Sequence, residues 1–277
     1  MNFQLSKLSN LQQRVLIGLP GAAIIIWGIC VSEWFYFLFF FIISLFSLRE
    51  FYKLIQDNGY KPLTLWGSGI GIFLFVSSFL MEMKLIKESV YIAIFPLLAL
   101  VFFFYLYRAN ESRPFINIAL TLLGIVYVAI PFALLNLAVF STGSYKYELS
   151  VGIILLIWAS DTGAYFAGKL LGRKKLFERI SPKKTWEGSI GGALLSIAVA
   201  IGLFYLFHVL DLWQWLVLAL IIIVAGTYGD LIESMFKRSL EIKDSGKALM
   251  GHGGFLDRFD GLLMAAPFIA AFLKIFL

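Results

Sequence analysis

Three stretches of this chain place acids, cations and glycines at spacings suited to holding phosphate. In the longest, 230–260, Asp230, Ser234 and Lys237 stand four and three residues apart and so share one face of a helix. The run Gly251-His252-Gly253-Gly254 interrupts that helix, and successive amides in such a run can form a nest for an anion, with His252 at its centre. Asp257 and Asp260 follow three residues apart and can share a face in the first turn of the next helix, with Arg258 between them pointing elsewhere. Carboxylates without softer ligands suit a hard cation such as Mg²⁺, whose shell is completed by phosphate oxygens and water. The nearby Lys237, Arg238, Lys243, Lys247 and Arg258 suit the phosphates themselves. Zinc is not expected, because the chain has 2 His and 1 Cys and no ligand spacing.

The second stretch is Ser181-Pro-Lys-Lys-Thr-Trp-Glu-Gly188. Ser181 reads as a helix N-cap with Pro182 at the first helical position. That would set Lys183, Lys184 and Thr185 at the donor-rich start of a helix, where a phosphate binds well. The flanking Arg173, Lys174, Lys175 and Arg179 need no such role, because basic loops also set topology and lie on anionic headgroups. The third stretch centres on Asp161. It falls twelve residues past Leu149, about 18 Å along a helix and well inside an apolar layer. A carboxylate at that depth costs about 2.5–3.5 kcal/mol on insertion scales and calls for a metal, a proton or a cation. Gly163, Gly168 and Gly172 around it permit close helix approach.

The elements that must position these groups are membrane helices. Hydrophobic residues make up 60% of the 277 and charged residues only 14%, more apolar surface than a water-facing fold can bury. Crossing about 30 Å of hydrocarbon takes roughly 20 apolar residues in a helix, since lipid offers the backbone no hydrogen bonds. Nine runs qualify, at 15–32, 34–48, 63–81, 89–107, 115–140, 149–168, 189–210, 212–232 and 261–277. The second can extend into the amphipathic 49–55 turn, and Pro131 predicts a kink or split in the fifth. With the N-terminus inside, all of the 23 Lys and Arg except Lys84, Lys87, Lys146 and Lys274 face the cytoplasm. The net charge of +6 therefore reports orientation rather than nucleic-acid binding. The first apolar run follows Arg14 without a small-residue cleavage site, so a spanning helix is expected there and not a signal peptide. The expected fold is an all-α polytopic bundle of about nine helices, with a supporting part at 1–148 and the chemistry at 149–277.

At these residues the sequence resembles the CDP-diacylglycerol synthase family, also called the phosphatidate cytidylyltransferase family. The resemblance rests on Ser234, Lys237-Arg238, Lys243-Asp244, His252-Gly253-Gly254 and Asp257-Arg258-Phe259-Asp260. The Ser181–Gly188 and Asp161-Thr-Gly-Ala-Tyr runs match as well, while Met250 departs from the usual proline of that loop. The resemblance implies that CTP and phosphatidate give CDP-diacylglycerol and pyrophosphate with Mg²⁺, a second, monovalent ion being left open. Asp230, Asp257, Asp260 and Asp161 would hold metal, and Lys184, Lys237, Arg238 and Arg258 would neutralise phosphate. Lys183, Thr185, Ser234 and the His252-Gly253-Gly254 backbone would contact substrate, with Lys243 and Asp244 ordering the loop. It implies further a bacterial inner membrane with a cytoplasmic site, and a homodimer through the middle helices. A CTP-dependent polyprenol kinase remains chemically close. Asp257-x-x-Asp260-Gly261 also resembles the opening of CDP-alcohol phosphotransferases, but no acid follows it. A cation-coupled transporter built on Asp161 and Asp230 would need broken helices in two repeated halves.

Overall fold

The computed structural model describes residues 10–242 and 254–277, with side chains described from Gly21 onward. Its helices are α1 (Asn10–Val31), α2 (Glu33–Asp57), α3 (Thr64–Glu82), α4 (Ile94–Leu106), α5 (Pro114–Gly124), α6 (Ile130–Val139), α7 (Tyr147–Leu171), α8 (Trp186–Leu206), α9 (Leu212–Ser239) and α10 (Leu256–Phe276). A 3₁₀ turn, Glu88–Ala93, leads into α4, and a π turn, Ile125–Ala129, joins α5 to α6. Eight helical segments among the described residues are long and apolar enough to cross a membrane. The protein is thus an all-α polytopic membrane bundle. The first expected span falls on α1, whose backbone is helical over 22 residues. α2 does run on through the 49–55 turn, because Phe51, Tyr52 and Ile55 there are buried against the core.

The fifth expected span is split as its proline predicts. Pro131 has no N–H to offer the carbonyl four residues back, which belongs to Tyr127. The chain widens instead, and the Ile130 N–H bonds to the Ile125 carbonyl, five residues back. The whole segment, Pro114–Val139, remains long enough to span.

One expectation about local structure is corrected. Ser181 does not cap a helix; Ser181–Thr185 is strand β2, paired antiparallel with β1 (Lys175–Phe177). The cap lies four residues later, where the Thr185 hydroxyl accepts from the Gly188 N–H at 3.1 Å. Two forces favour the later start. Glu187 accepts from the amides of Arg173 and Lys174 at 3.1 and 3.2 Å, and the Trp186 N–H bonds to the Lys174 carbonyl at 3.0 Å, so the hairpin closes on the first turn of α8. Pro182 fits a two-stranded ribbon, where a missing ladder donor is tolerated.

Small residues set the helix crossings that matter. A Cβ added to Gly163 of α7 would lie 2.5 Å from the Gly191 carbonyl oxygen of α8. One added to Gly229 of α9 would lie 2.5 Å from the Asp260 carbonyl oxygen of α10. Both crossings are backbone against backbone, the approach that small residues permit between membrane helices. α10 also packs on α6 and α2, so the two halves of the chain share one hydrophobic core. Inside the first half, Asn136 accepts from Tyr36 at 3.0 Å and donates to the Phe75 carbonyl at 3.0 Å and to Ser78 at 2.7 Å, a buried network that ties α6 to α2 and α3.

Candidate active site

The lower part of α9 carries the first cluster. Lys184 of β2 reaches across to Asp230 with Nζ 2.6 Å from Oδ2, and its Nζ also donates to the Thr227 carbonyl at 3.4 Å. Ser234, one turn beyond, donates to Asp230 Oδ1 at 3.4 Å. The hairpin brings Lys184 there because Thr185 is buried as the cap of α8, and α8 packs along α9. Asp161 of α7 and Asp260 of α10 lie within electrostatic reach of Asp230, of Lys184 and of each other, and Arg258 acts on Asp161 as well. Three carboxylates from three helices therefore act on one ammonium, Asp230 by direct contact and Asp161 and Asp260 through space. The Asp230 side chain keeps 45% of its surface exposed, so the cluster is open to a ligand.

A second cluster lies one turn further on. Lys237 Nζ sits 2.5 Å from Glu233 Oε2 and 2.7 Å from Asp257 Oδ1. The Gly254 N–H donates to Asp257 Oδ2 at 3.2 Å. The Phe255 N–H donates to Glu50 of α2 at 2.8 Å, and the Phe255 ring stacks on Phe46 with centroids 5.1 Å apart. The start of α10 is thus pinned from both α9 and α2. Asp257 and Asp260, read as sharing a face, enter different clusters. Three residues turn a helix by about 300°, leaving about 60° between the two side chains, enough to separate them at the first turn.

The remaining candidates are placed as follows. Lys183 is exposed on β2, and exposed Arg238 donates to the Ile242 carbonyl at 3.3 Å. Arg258 is exposed on the first turn of α10. Lys243, Asp244, His252 and Gly253 lie outside the described residues. Among the described residues no three acids, His or Cys stand close enough to form a complete metal cage. The oxygen donors around Asp230 nonetheless suit a hard cation, since Mg²⁺ is commonly held by one or two carboxylates plus substrate phosphates and water.

A model of the cytidylyltransferase family matches residues 12–276, nearly the whole chain. The chain belongs to the cytidylyltransferase family. Within curated proteins, this family member is 39% identical over 166 residues to the phosphatidate cytidylyltransferase of Staphylococcus haemolyticus, covering 60% of the chain and 62% of that relative. It is 34% identical over 240 residues to the phosphatidate cytidylyltransferase of Staphylococcus saprophyticus, covering 84% of the chain and 87% of the relative. The Staphylococcus aureus protein of the same name is 38% identical over 166 residues, again with 60% of the chain and 62% of the relative covered. The chain thus spans less than two thirds of the length of some of the relatives it matches, and most of another.

Two acids of this cytidylyltransferase-family site escaped the sequence reading. Glu233 is only 1% exposed, yet it stands i−4 to Lys237, a spacing that signals an ion pair on a helix. Glu50 comes from α2, 205 residues before its partner Phe255, and no local pattern connects the two. Trp186 and Glu187, by contrast, read as part of a binding run. Glu187 instead holds the loop backbone, and Trp186 is exposed.

Proposed function

We propose that this chain transfers the cytidylyl group of CTP to phosphatidate in the plane of a membrane, forming CDP-diacylglycerol and releasing pyrophosphate. The observation that carries the reading is the exposed Asp230–Lys184 pair, with Asp161 and Asp260 in electrostatic reach, on helices long and apolar enough to cross a membrane. Family membership and the names of the relatives support it.

A phosphatidate phosphate is largely anionic near neutral pH, so its oxygen attacks the α-phosphorus of CTP without a strong general base. The new P–O bond forms as the bond from the α-phosphorus to the bridging oxygen of the β-phosphate breaks, and pyrophosphate leaves with that electron pair. Positioning and charge neutralisation then supply the rate. Asp230, with Asp161 and Asp260, would hold Mg²⁺, which when bound supplies positive charge to the triphosphate. Asp257, engaged here by Lys237 and the Gly254 amide, would join that set with its Lys237 pair kept, since each carboxylate oxygen can accept more than one partner. Lys184 and Lys237 place ammonium groups on either side of Ser234, and Arg238 and Arg258 add charge at the exposed rim. Lys183, Lys243, Asp244, His252, Gly253 and Gly254 complete the proposed substrate contacts, with Thr185, buried as the cap of α8, setting Lys184 in place. The concentration of Lys and Arg on this side supports a cytoplasmic site in a bacterial inner membrane. The homodimer rests on resemblance to the family alone.

The test is purified protein in a detergent that preserves its helical content, supplied with CTP, phosphatidate and Mg²⁺. CDP-diacylglycerol and pyrophosphate are expected in equal amounts, and chelation of the metal should stop both. Folded protein that makes neither overturns the reading.

A further inference from the structure

Tyr127 stands in the π turn between α5 and α6, on the part of the chain that the sequence marks as scaffold. Its ring lies beside Phe51 of α2, with centroids 6.1 Å apart, and Phe51 stacks on Phe236 of α9 at 5.0 Å. The ring is therefore linked through Phe51 to the element that carries Asp230, Glu233 and Lys237. Its hydroxyl is buried and has no hydrogen-bond partner among the described residues, and its electrostatic neighbours are Asp260, Glu233 and Asp230. Glu233 shows the complementary gap. Its Oε2 is taken by Lys237 and its carboxyl group faces Asp257, while Oε1 is buried and makes no hydrogen bond among the described residues. A phenol hydroxyl can donate, a carboxylate oxygen can accept, and buried polar atoms are ordinarily satisfied by protein or by ordered water.

We infer that Tyr127 is a positioning residue: its hydroxyl donates through one buried water to Glu233 Oε1 and fixes the carboxyl group that holds Lys237 against Asp257. The hydrogen-bonded line then runs from Tyr127 through Glu233, Lys237 and Asp257 to the Gly254 amide, joining the π turn to the start of α10. The π turn forced by Pro131 gives the first half of the chain a function in the site, and such widened turns recur at functional positions. This inference rests on the proposed reaction only in its kinetic consequence, because the pairing itself is a property of the folded protein.

The experiment is a double-mutant cycle of Tyr127→Phe and Glu233→Ala in the purified full chain, read by turnover and by thermal midpoint. Tyr127→Phe keeps the ring and removes only the hydroxyl. It is expected to lower kcat about tenfold with little change in either KM, since a buried hydrogen bond is lost. In the Glu233→Ala background, where the accepting oxygen is gone, the same change should have no further effect on kcat. Tyr127→Phe within twofold of wild type, or losses that multiply across the cycle, would overturn the inference. Should Glu233→Ala not fold, Glu233→Asp takes its place, because its shorter side chain withdraws the same oxygen. If wild-type protein shows no turnover, the reading of the reaction fails, and the midpoints decide the pair: non-additive shifts uphold it and additive shifts overturn it.

Discussion

Replacing Asp230 by Asn is expected to lower kcat/KM by about 10²–10³-fold while the protein still folds. Asp230 joins the hairpin to α9: it binds Lys184 directly, accepts from Ser234, and interacts with Asp161 and Asp260. Asparagine keeps the shape and one acceptor but removes the charge that a hard cation needs, and it leaves Lys184 with a neutral partner. The side chain is 45% exposed, so its neutralisation leaves no buried orphan charge and the thermal midpoint should move little. The measurement is steady-state turnover across a Mg²⁺ titration. Wild-type rates at low Mg²⁺ would remove Asp230 from the proposed metal set.

The second large effect is structural. Gly229→Val should destabilise the protein by about 1–3 kcal/mol and abolish turnover together with it. The new Cβ would meet the Asp260 carbonyl oxygen at 2.5 Å and the Asp260 carbonyl carbon at 3.1 Å. Neither backbone atom can swing aside as a side-chain tip would. α9 and α10 must then part at the point where Asp230 and Asp260 approach, so fold and site fail together. Gly202→Ala in α8 is the control, because nothing lies within 4 Å of a Cβ built there. Its midpoint should hold or rise slightly, as Ala favours a helix over Gly. Thermal unfolding in detergent separates the two variants; equal midpoints would show that the α9–α10 contact is looser than its geometry implies.

The spans were legible because lipid leaves a helix little choice: long apolar runs must be helical, and the strongest runs coincide with α2 through α10. Pro131 announced the break between α5 and α6 for the same reason, an absent backbone donor. Local rules were weaker where two of them agreed equally well. Ser181-Pro182 and Thr185 are both good caps, and the choice between them is made by Glu187 clamping the loop and by α8 meeting α7, which are contacts over distance. Spacing placed Asp230 beside Ser234 but did not foresee that Lys237 turns to Glu233 and Asp257. Tyr127 and Glu50 lie far along the chain from the site, and only tertiary packing reveals what they face.

The most direct measurement asks which phosphorus of CTP reaches the lipid. Purified protein, phosphatidate and Mg²⁺ are incubated in parallel with CTP labelled at the α- or the γ-phosphate, and the lipid and aqueous phases are counted separately. The account predicts α-label in the lipid and γ-label in aqueous pyrophosphate, with both lost on chelation. Label from the γ-phosphate in the lipid would identify phosphoryl transfer instead and contradict the account.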